Sequence, residues 1–387
     1  MKVLYCMLDN RCGGPHRRAH ATALRLRAHG IETLFLLGYK AGQSWEPEGF
    51  QRFLCGHTQC FRRRAAIRNL LWFAVMLPFN LLRIRRLIKS NGIDIVHVDG
   101  VMNFVPALAA RLTGRPVVWL YNDYVPGPLR PVLMPLLTRL ASAVVVQGAS
   151  LKQRYTAGNA KLRDKTIVVP AAVDTHKFHP DERGPETRRR IRHELGLPAD
   201  CTLVGTIRNV NRFKGLTYFL EAASEIKKRA GAARFVIVGR KLDTDGGYWD
   251  HLQQLTARLG LKQDVVFAGF REDIPAILSA LDVFVLASIE ESCPVALLEA
   301  MAMKVPVVAT DVGAVSEMVL DGRTGFVVPP RDAAAIAEAA LMLLEMPGER
   351  RRAMVEAARE RVQAKFDIDR IAAQQERLYE SLLLASR

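Results

Sequence analysis

The sequence predicts an α/β protein built from two doubly wound parallel sheets, and three observations predict it. Short apolar runs bounded by Gly or Asp recur along the chain, helical stretches separate them, and the rhythm restarts after residue 200. Strands that read as near-continuous apolar runs are those buried on both faces, under helices.

In chain order, KVLYCML (2–8) is a strand, GGPHRRAHATALRLRAHG (13–30) a loop and helix, and TLFLLG (33–38) a second strand. DIVHVDG (94–100), PVVWLYND (116–123) and AVVVQG (143–148) are short apolar strands, the latter two preceded by helical stretches. The second half begins with CTLVGTI (201–207) and continues through RFVIVG (234–239), VVFAGF (265–270), DVFVLAS (282–288) and PVVATD (306–311). Between the halves, HPDERGPETRRRIRHELGLPAD (179–200) reads as a linker running into a solvated helix, and FDIDRIAAQQERLYESLLL (366–384) is a closing amphipathic helix. The expected division is 1–172, then 173–366, with the helix 367–387 beyond the second sheet. Two such sheets facing each other would hold a ligand at their switch-point crevices, in a cleft between the domains.

At 387 residues, 49% of them apolar, the chain has material for two ordinary cores. Its charge is unevenly placed: residues 1–170 hold 25 Lys and Arg against 8 Asp and Glu, a net +17, while the remainder holds 30 against 31. The basic half points to an anionic partner, whether membrane surface, nucleic acid or acidic substrate. Cys6, Cys12, Cys55, Cys60, Cys201 and Cys293 contain no CxxC spacing, so they read as small buried fillers in a reducing compartment. His16 and His20 share a helix face without the glutamate of an HExxH site, and no metal site is expected. MKVLYCML lacks the charged, apolar, small-residue order of a signal peptide.

Chemistry concentrates in two stretches of the second half. In GTIRNVNRFKGLTYFLEA (205–222), Arg208 and Lys214 follow a strand and precede a helix, beside a glycine. A guanidinium fork and an ammonium suit a diphosphate, though these residues alone also fit two solvated loop cations. Neither GxGxxG nor a Walker loop occurs there. In EESCPVALLEAM (290–301), Glu291 stands before a helix start and Glu299 about two turns inside. Ser292 fits an N-cap, and Pro294 loses no hydrogen bond in a first turn. Glu291 either caps this helix or, with the helix N–H groups taking a phosphate, serves the hydroxyl-bearing parts of a ligand.

Glu291-x7-Glu299 followed by AMA, the Arg208/Lys214 loop, and PVVATDVGAVSEMVLDGRTGFVVPPRD (306–332) together resemble the family 4 retaining glycosyltransferases of the GT-B fold. The resemblance covers nearly the whole chain and is strongest across 201–345. It implies two Rossmann-like domains facing across a cleft, with the final helix crossing back to the first. It also implies sugar transfer from a nucleotide diphosphate sugar with retained anomeric configuration, and neither metal nor cofactor. Arg208 and Lys214 would hold the diphosphate, Glu299 the ribose, and Glu291 would face the donor sugar. Ser292 and the backbone of Cys293, Pro294 and Val295 would line the donor, with Gly13 and Gly14 forming the glycine loop of the first domain. Retention needs either a covalent intermediate on Glu291 or same-face attack past an oxocarbenium-like state that Glu291 steadies; the second is the reading adopted here.

The chain departs from the family pattern in places. Asn122, beside Asp123, stands where a histidine is usual on the acceptor side, while His97 survives at a strand end as either an acceptor contact or a structural histidine. AAVD (171–174) replaces NGVD, and Cys293–Pro294 replaces a Gly-rich pair, which should narrow the sugar pocket. FRRRAAIRNLLWFAVMLPFNLLRIRRLIKS (61–90) is too short in its apolar run to span a bilayer, which takes roughly 20 residues. It is either an ordinary buried helix or an interfacial segment in which Arg62, Arg63, Arg64, Trp72 and Phe73 meet anionic lipid. The second choice makes a peripheral enzyme on the cytoplasmic leaflet acting on a lipid-linked or envelope glycan acceptor. Two rivals remain: a sugar-nucleotide epimerase of the same layout, and a basic nucleic-acid-binding protein, against which the chain shows no RNP-like aromatic pattern.

Overall fold

The computed structural model describes residues 1–8, 14–38, 45–55, 66–122, 125, 129–241 and 246–386. The chain divides into two compact units, Met1–Pro170 with Ile368–Arg387, and Ala171–Asp367. The sequence places these crossings after 172 and 366; the chain makes them at 170/171 and 367/368.

Unit 1 runs β1 (Lys2–Met7), α1 (Gly14–Ala28), β2 (Glu32–Gly38), β3 (Arg52–Cys55), α2 (Ala66–Ser90), β4 (Ile95–Asp99) and α3 (Phe104–Arg111). It continues with β5 (Val117–Leu120), α4 (Arg130–Leu140), β6 (Ala143–Val146), α5 (Ala149–Thr156), α6 (Ala160–Lys165) and β7 (Thr166–Val168). Its sheet is parallel throughout, in the order β3-β2-β1-β4-β5-β6-β7.

Unit 2 opens with α7 (Pro185–Glu194), then β8 (Thr202–Ile207), α8 (Leu216–Arg229), β9 (Ala233–Val238), α9 (Tyr248–Arg258), β10 (Val265–Gly269) and α10 (Ile274–Ala280). There follow β11 (Val283–Leu286), α11 (Val295–Ala302), β12 (Val307–Thr310), α12 (Val315–Met318), β13 (Phe326–Val328), α13 (Ala333–Glu345) and α14 (Gly348–Lys365). The sheet order is β10-β9-β8-β11-β12-β13, again all parallel. The order reverses between β8 and β11, so the loops leaving these two strands diverge and open a crevice at their carboxyl ends. The last helix, α15 (Ile368–Ala385), belongs to unit 1.

The strands are buried on both faces, as their apolar runs require: Leu4, Val96, Val98, Val117 and Val144 sit in one core, Leu203, Phe284, Leu286 and Val307 in another. The stretch 179–200 is not a linker. Its helix α7 packs on α10, and Arg192, only 2% exposed, donates to Asp282 Oδ2 at 2.9 Å and to the carbonyls of Ala199 and Ala280. An arginine inside a basic run reads as solvated; here its partner lies ninety residues on in the chain. No described helix is long and apolar enough to cross a membrane.

Candidate active site

The two divergent loops of unit 2 meet on one carboxylate. After β8 the ladder continues one residue, with Arg208 N–H donating to the Val238 carbonyl at 2.7 Å. A 3₁₀ turn at Arg212–Lys214 then delivers Lys214 just before α8. After β11 the chain passes Ser288 and reaches Glu291, and the Ile289 N–H donates to the Phe213 carbonyl at 2.8 Å, tying the loops together. Glu291 Oε1 accepts from Lys214 Nζ at 2.6 Å and Ser288 Oγ at 3.1 Å, and lies 3.1 Å from Arg208 Nη1.

Backbone packs close around this carboxylate, and glycine permits it. Gly215 has φ +64, and a Cβ there would lie 1.7 Å from the Ala287 carbonyl oxygen. Gly313, at φ +59, would bring a Cβ to 2.3 Å from the Glu291 carbonyl oxygen and 2.5 Å from that of Ser292. Only a residue without Cβ allows these approaches.

The Arg208 and Glu291 side chains are 8% and 10% exposed. Burial by itself would raise the Glu291 carboxyl, but the charges of Arg208 and Lys214 and the Lys214 and Ser288 hydrogen bonds outweigh it and hold the group below its usual range. Burial pulls the Arg208 guanidinium down, against the opposing charges of Glu291 and Glu299. Arg208 Nε and Nη2 are buried and have no hydrogen-bond partner among the described residues. Buried guanidinium donors left unspent are costly, and an oxygen-rich anion is what would satisfy them.

Helix α11 begins at Val295 with Pro294 at its N-cap and no capping side chain, so Ser292 is not the cap that the sequence suggests. Its carbonyl instead accepts from the Ala314 N–H at 2.8 Å. Glu299 is the fifth helical residue, just over one turn inside rather than two, and half-buried. Cys293 turns into the core, with Sγ 3.6 Å from Met318 Sδ, so its side chain fills space beneath α11 instead of narrowing a pocket.

In unit 1, His97 on β4 is 2% exposed and stacks on Tyr5 at 4.3 Å, with Nδ1 2.6 Å from the Tyr379 hydroxyl. Gln375 donates to that hydroxyl, whose own hydrogen is then directed at Nδ1. Burial, with the Arg18 charge added, pushes the imidazole down to about 3, so it is neutral. His97 thus ties α15 to the sheet as a packing residue, while its Nε2 is buried with no hydrogen-bond partner among the described residues. The polar group at the sheet's carboxyl edge is Asp99, which the sequence reading passed over: Arg18 Nη2 lies 3.4 Å from Oδ2, and Asn122 Nδ2 donates to Oδ1 at 3.0 Å. The signal was there in HVDG, a carboxylate closing a strand.

The family model described as "Glycosyl transferases group 1" matches residues 199–346, and that described as "Glycosyltransferase Family 4" matches residues 12–177. The alpha-D-kanosaminyltransferase of Streptomyces kanamyceticus is 34% identical over 316 residues, spanning 77% of this chain and 80% of that protein. The chain belongs to the group 1, family 4 glycosyltransferases. A GDP-mannose-dependent alpha-(1-6)-phosphatidylinositol monomannoside mannosyltransferase of Mycolicibacterium smegmatis is 33% identical to this glycosyltransferase, over 68% of the chain and 71% of that protein. Among solved structures, a glycosyltransferase of Rickettsia africae superposes with a TM-score of 0.82 at 21% identity, covering 99% and 98% of the two chains. Anabaena HepE in complex with UDP-glucose gives 0.82 at 21% identity, covering 98% and 100%. At that identity the two structures bear on the fold, which is GT-B.

Of the residues singled out from sequence in this glycosyltransferase, the structure brings Arg208, Lys214 and Glu291 into one cluster, with Ser292, Cys293, Pro294 and Val295 leading from it into α11. Gly14 is the first described residue of α1, and a Cβ there would meet nothing within 4 Å among the described residues. Gly13, Asp123, Arg62, Arg63 and Arg64 lie outside the described residues. Phe73 is 6% exposed and packs in the unit 1 core, so it is not a membrane residue; its neighbour Trp72, about 100° away around the helix, is exposed.

Proposed function

We propose that this glycosyltransferase moves a hexosyl group from a nucleotide diphosphate sugar to a lipid-linked or envelope glycan, with retention and without a metal ion. The observation that carries the reading is the Arg208–Glu291–Lys214 cluster with two Arg208 nitrogens left unspent. The leaving group is a nucleoside diphosphate, so the work of catalysis is to stabilise charge growing on phosphate oxygens. Arg208 donates to them through Nε and Nη2, Lys214 adds a point charge, and the uncapped start of α11 offers N–H groups. Glu299 accepts from the ribose hydroxyls. Glu291 stays ionised, and its Oε1 already serves three partners, which makes it a poor nucleophile and a good counter-charge for an oxocarbenium-like state. Same-face attack follows.

The names of relatives support the acceptor class: phosphatidylinositol monomannoside for the Mycolicibacterium enzyme, and lipopolysaccharide core for the Rhizobium meliloti mannosyltransferase LpsB. HepE, solved with UDP and with UDP-glucose, supports a nucleotide-sugar donor. Such an enzyme works on the cytoplasmic face, as a peripheral protein.

The test begins with a panel of UDP-, GDP- and ADP-sugars in thermal shift, followed by transfer assays in excess EDTA with the product anomer read by NMR. Glu291→Gln should bind donor and lose turnover, and Glu299→Ala should chiefly weaken donor affinity. An inverted product or a strict metal requirement overturns the mechanism. Conversion of one nucleotide sugar to another with no acceptor present makes the protein an epimerase instead.

A further inference from the structure

Two hydroxyls lie fully buried beneath Glu291, those of Ser288 and Thr310, each residue 0% exposed. The ladder between β11 and β12 ends at the pair Leu286 and Ala309. One residue further along β12, a side chain takes over from the backbone. The Thr310 hydroxyl donates to the Ser288 carbonyl at 2.6 Å, with the Leu286 carbonyl at 3.2 Å. A threonine suits the strand, and its single stiff rotor aims that hydroxyl. Thr310 thereby keeps its hold on the chain leaving β11 past the last paired residue. Ser288, fixed in this way, donates its own hydroxyl to Glu291 Oε1 at 3.1 Å.

Ser288 differs from the other two partners of Glu291. In the proposed function Arg208 and Lys214 take the diphosphate, so a bound donor competes with Glu291 for their hydrogens. Ser288 is neutral, sealed from solvent, and spends its hydrogen on Glu291 alone. We propose that Ser288, held by Thr310, is a positioning residue that keeps Glu291 in place for turnover once the donor has drawn the two cations away. All three contacts fall on Oε1, which leaves Oε2 for the reacting sugar. Burial opposes the charge on Glu291, and the Arg208 and Lys214 charges, with hydrogen bonds from Lys214 and Ser288, overcome it. Glu299 bears on the same cluster through its charge on Arg208. With the cations engaged elsewhere, the serine hydroxyl carries a larger share of that balance. The inference rests on the reading of Glu291 as counter-charge in sugar transfer.

The probe is whichever of UDP-, GDP- and ADP-glucose or -mannose raises Tm, and turnover is nucleoside diphosphate released from it by the full-length protein. Ser288→Ala should lower kcat about tenfold, with the donor Kd within about twofold of wild type. The acid limb of its kcat profile should move up by about one pH unit, because the ionised carboxylate has lost a hydrogen bond. Thr310→Val removes only the hydroxyl and should repeat both changes in weaker form, and Thr310→Ser should restore wild-type behaviour. Wild-type kcat and acid limb in Ser288→Ala overturn the inference. A weakened donor Kd at unchanged kcat also overturns it, since Ser288 is then a donor contact. So does a Thr310→Ser variant that behaves as Thr310→Val. If Ser288→Ala fails to fold, the two Thr310 variants decide the matter on the same readouts. Turnover lost in Glu291→Gln but kept in Ser288→Ala removes only the role of Ser288. Wild-type turnover in Glu291→Gln removes the counter-charge reading and this inference with it.

Discussion

Replacing Gly313 by alanine should disable the site from outside it. The new Cβ would lie 2.3 Å from the Glu291 carbonyl oxygen and 2.5 Å from that of Ser292, whereas ordinary contact begins near 3.4 Å. Relief therefore needs the Glu291–Ser292 backbone to move by about 1 Å, the scale of misplacement that costs on the order of 10²-fold in rate. Gly313 also holds φ +59, which adds about 1–2 kcal/mol for a residue with a Cβ. In a unit of this size that lowers Tm by roughly 2–8 °C. Steady-state transfer kinetics, with circular dichroism to verify folding, should show kcat down by tens- to a hundredfold. Gly231→Ala, where a Cβ meets nothing within 4 Å, is the control and should change nothing. A folded Gly313→Ala protein with kcat within twofold of wild type would refute the argument that this close approach sets the position of Glu291.

Lys214→Ala removes a charge-assisted hydrogen bond worth roughly 1.5–3 kcal/mol, so kcat/KM should fall about ten- to a hundredfold; Arg208→Ala should cost more, because it strips a buried partner from Glu291. Unchanged kcat/KM in both variants would put the diphosphate elsewhere. Asp282→Ala leaves Arg192 buried and unpaired and frees the Leu203 N–H, so urea unfolding should show a loss of about 3–5 kcal/mol. A loss under about 1 kcal/mol would mean that α7 is not anchored by this pair. The Glu291 carboxyl is depressed in the folded protein, so its contribution to stability is complete above the unfolded value near 4.3 and is lost as pH falls through the lower folded value. The Tm gap between wild type and Glu291→Gln should accordingly be full at pH 7 and close below pH ~4; a gap independent of pH would contradict the assigned charge state.

The ten strands with apolar runs are legible because burial on both faces leaves a continuous signal. β3, β7 and β13 are not: each is an edge strand of three or four residues, whose pairing is decided by a neighbour already in the sheet. Arg208, Lys214, Glu291 and Glu299 could be named from spacing, but not that one carboxylate gathers both cations, since their loops meet only through the strand order. Composition has no phase, so it treats Trp72 and Phe73 alike. The helical angle between them sends one to the core and one to the surface. Arg192 and Asp99 are hard to read from sequence for one reason: a charge's partner is set by topology, not by its neighbours in the chain.

The closing helix has a consequence for how the chain is made. Unit 2 is one uninterrupted segment, complete once Asp367 has emerged, whereas unit 1 waits for the last twenty residues. Tyr379 must return across 282 positions to reach His97, and Ile371, Ala372 and Leu378 bury themselves beside it. The N-terminal half is therefore the later of the two to finish, the reverse of the usual vectorial order during synthesis. Until then its sheet stays uncovered where α15 belongs. A nascent chain stalled near 367 would carry a finished donor-side unit and an open first one. Damage at the C-terminus, by truncation or a bulky fusion, would accordingly register in the N-terminal half.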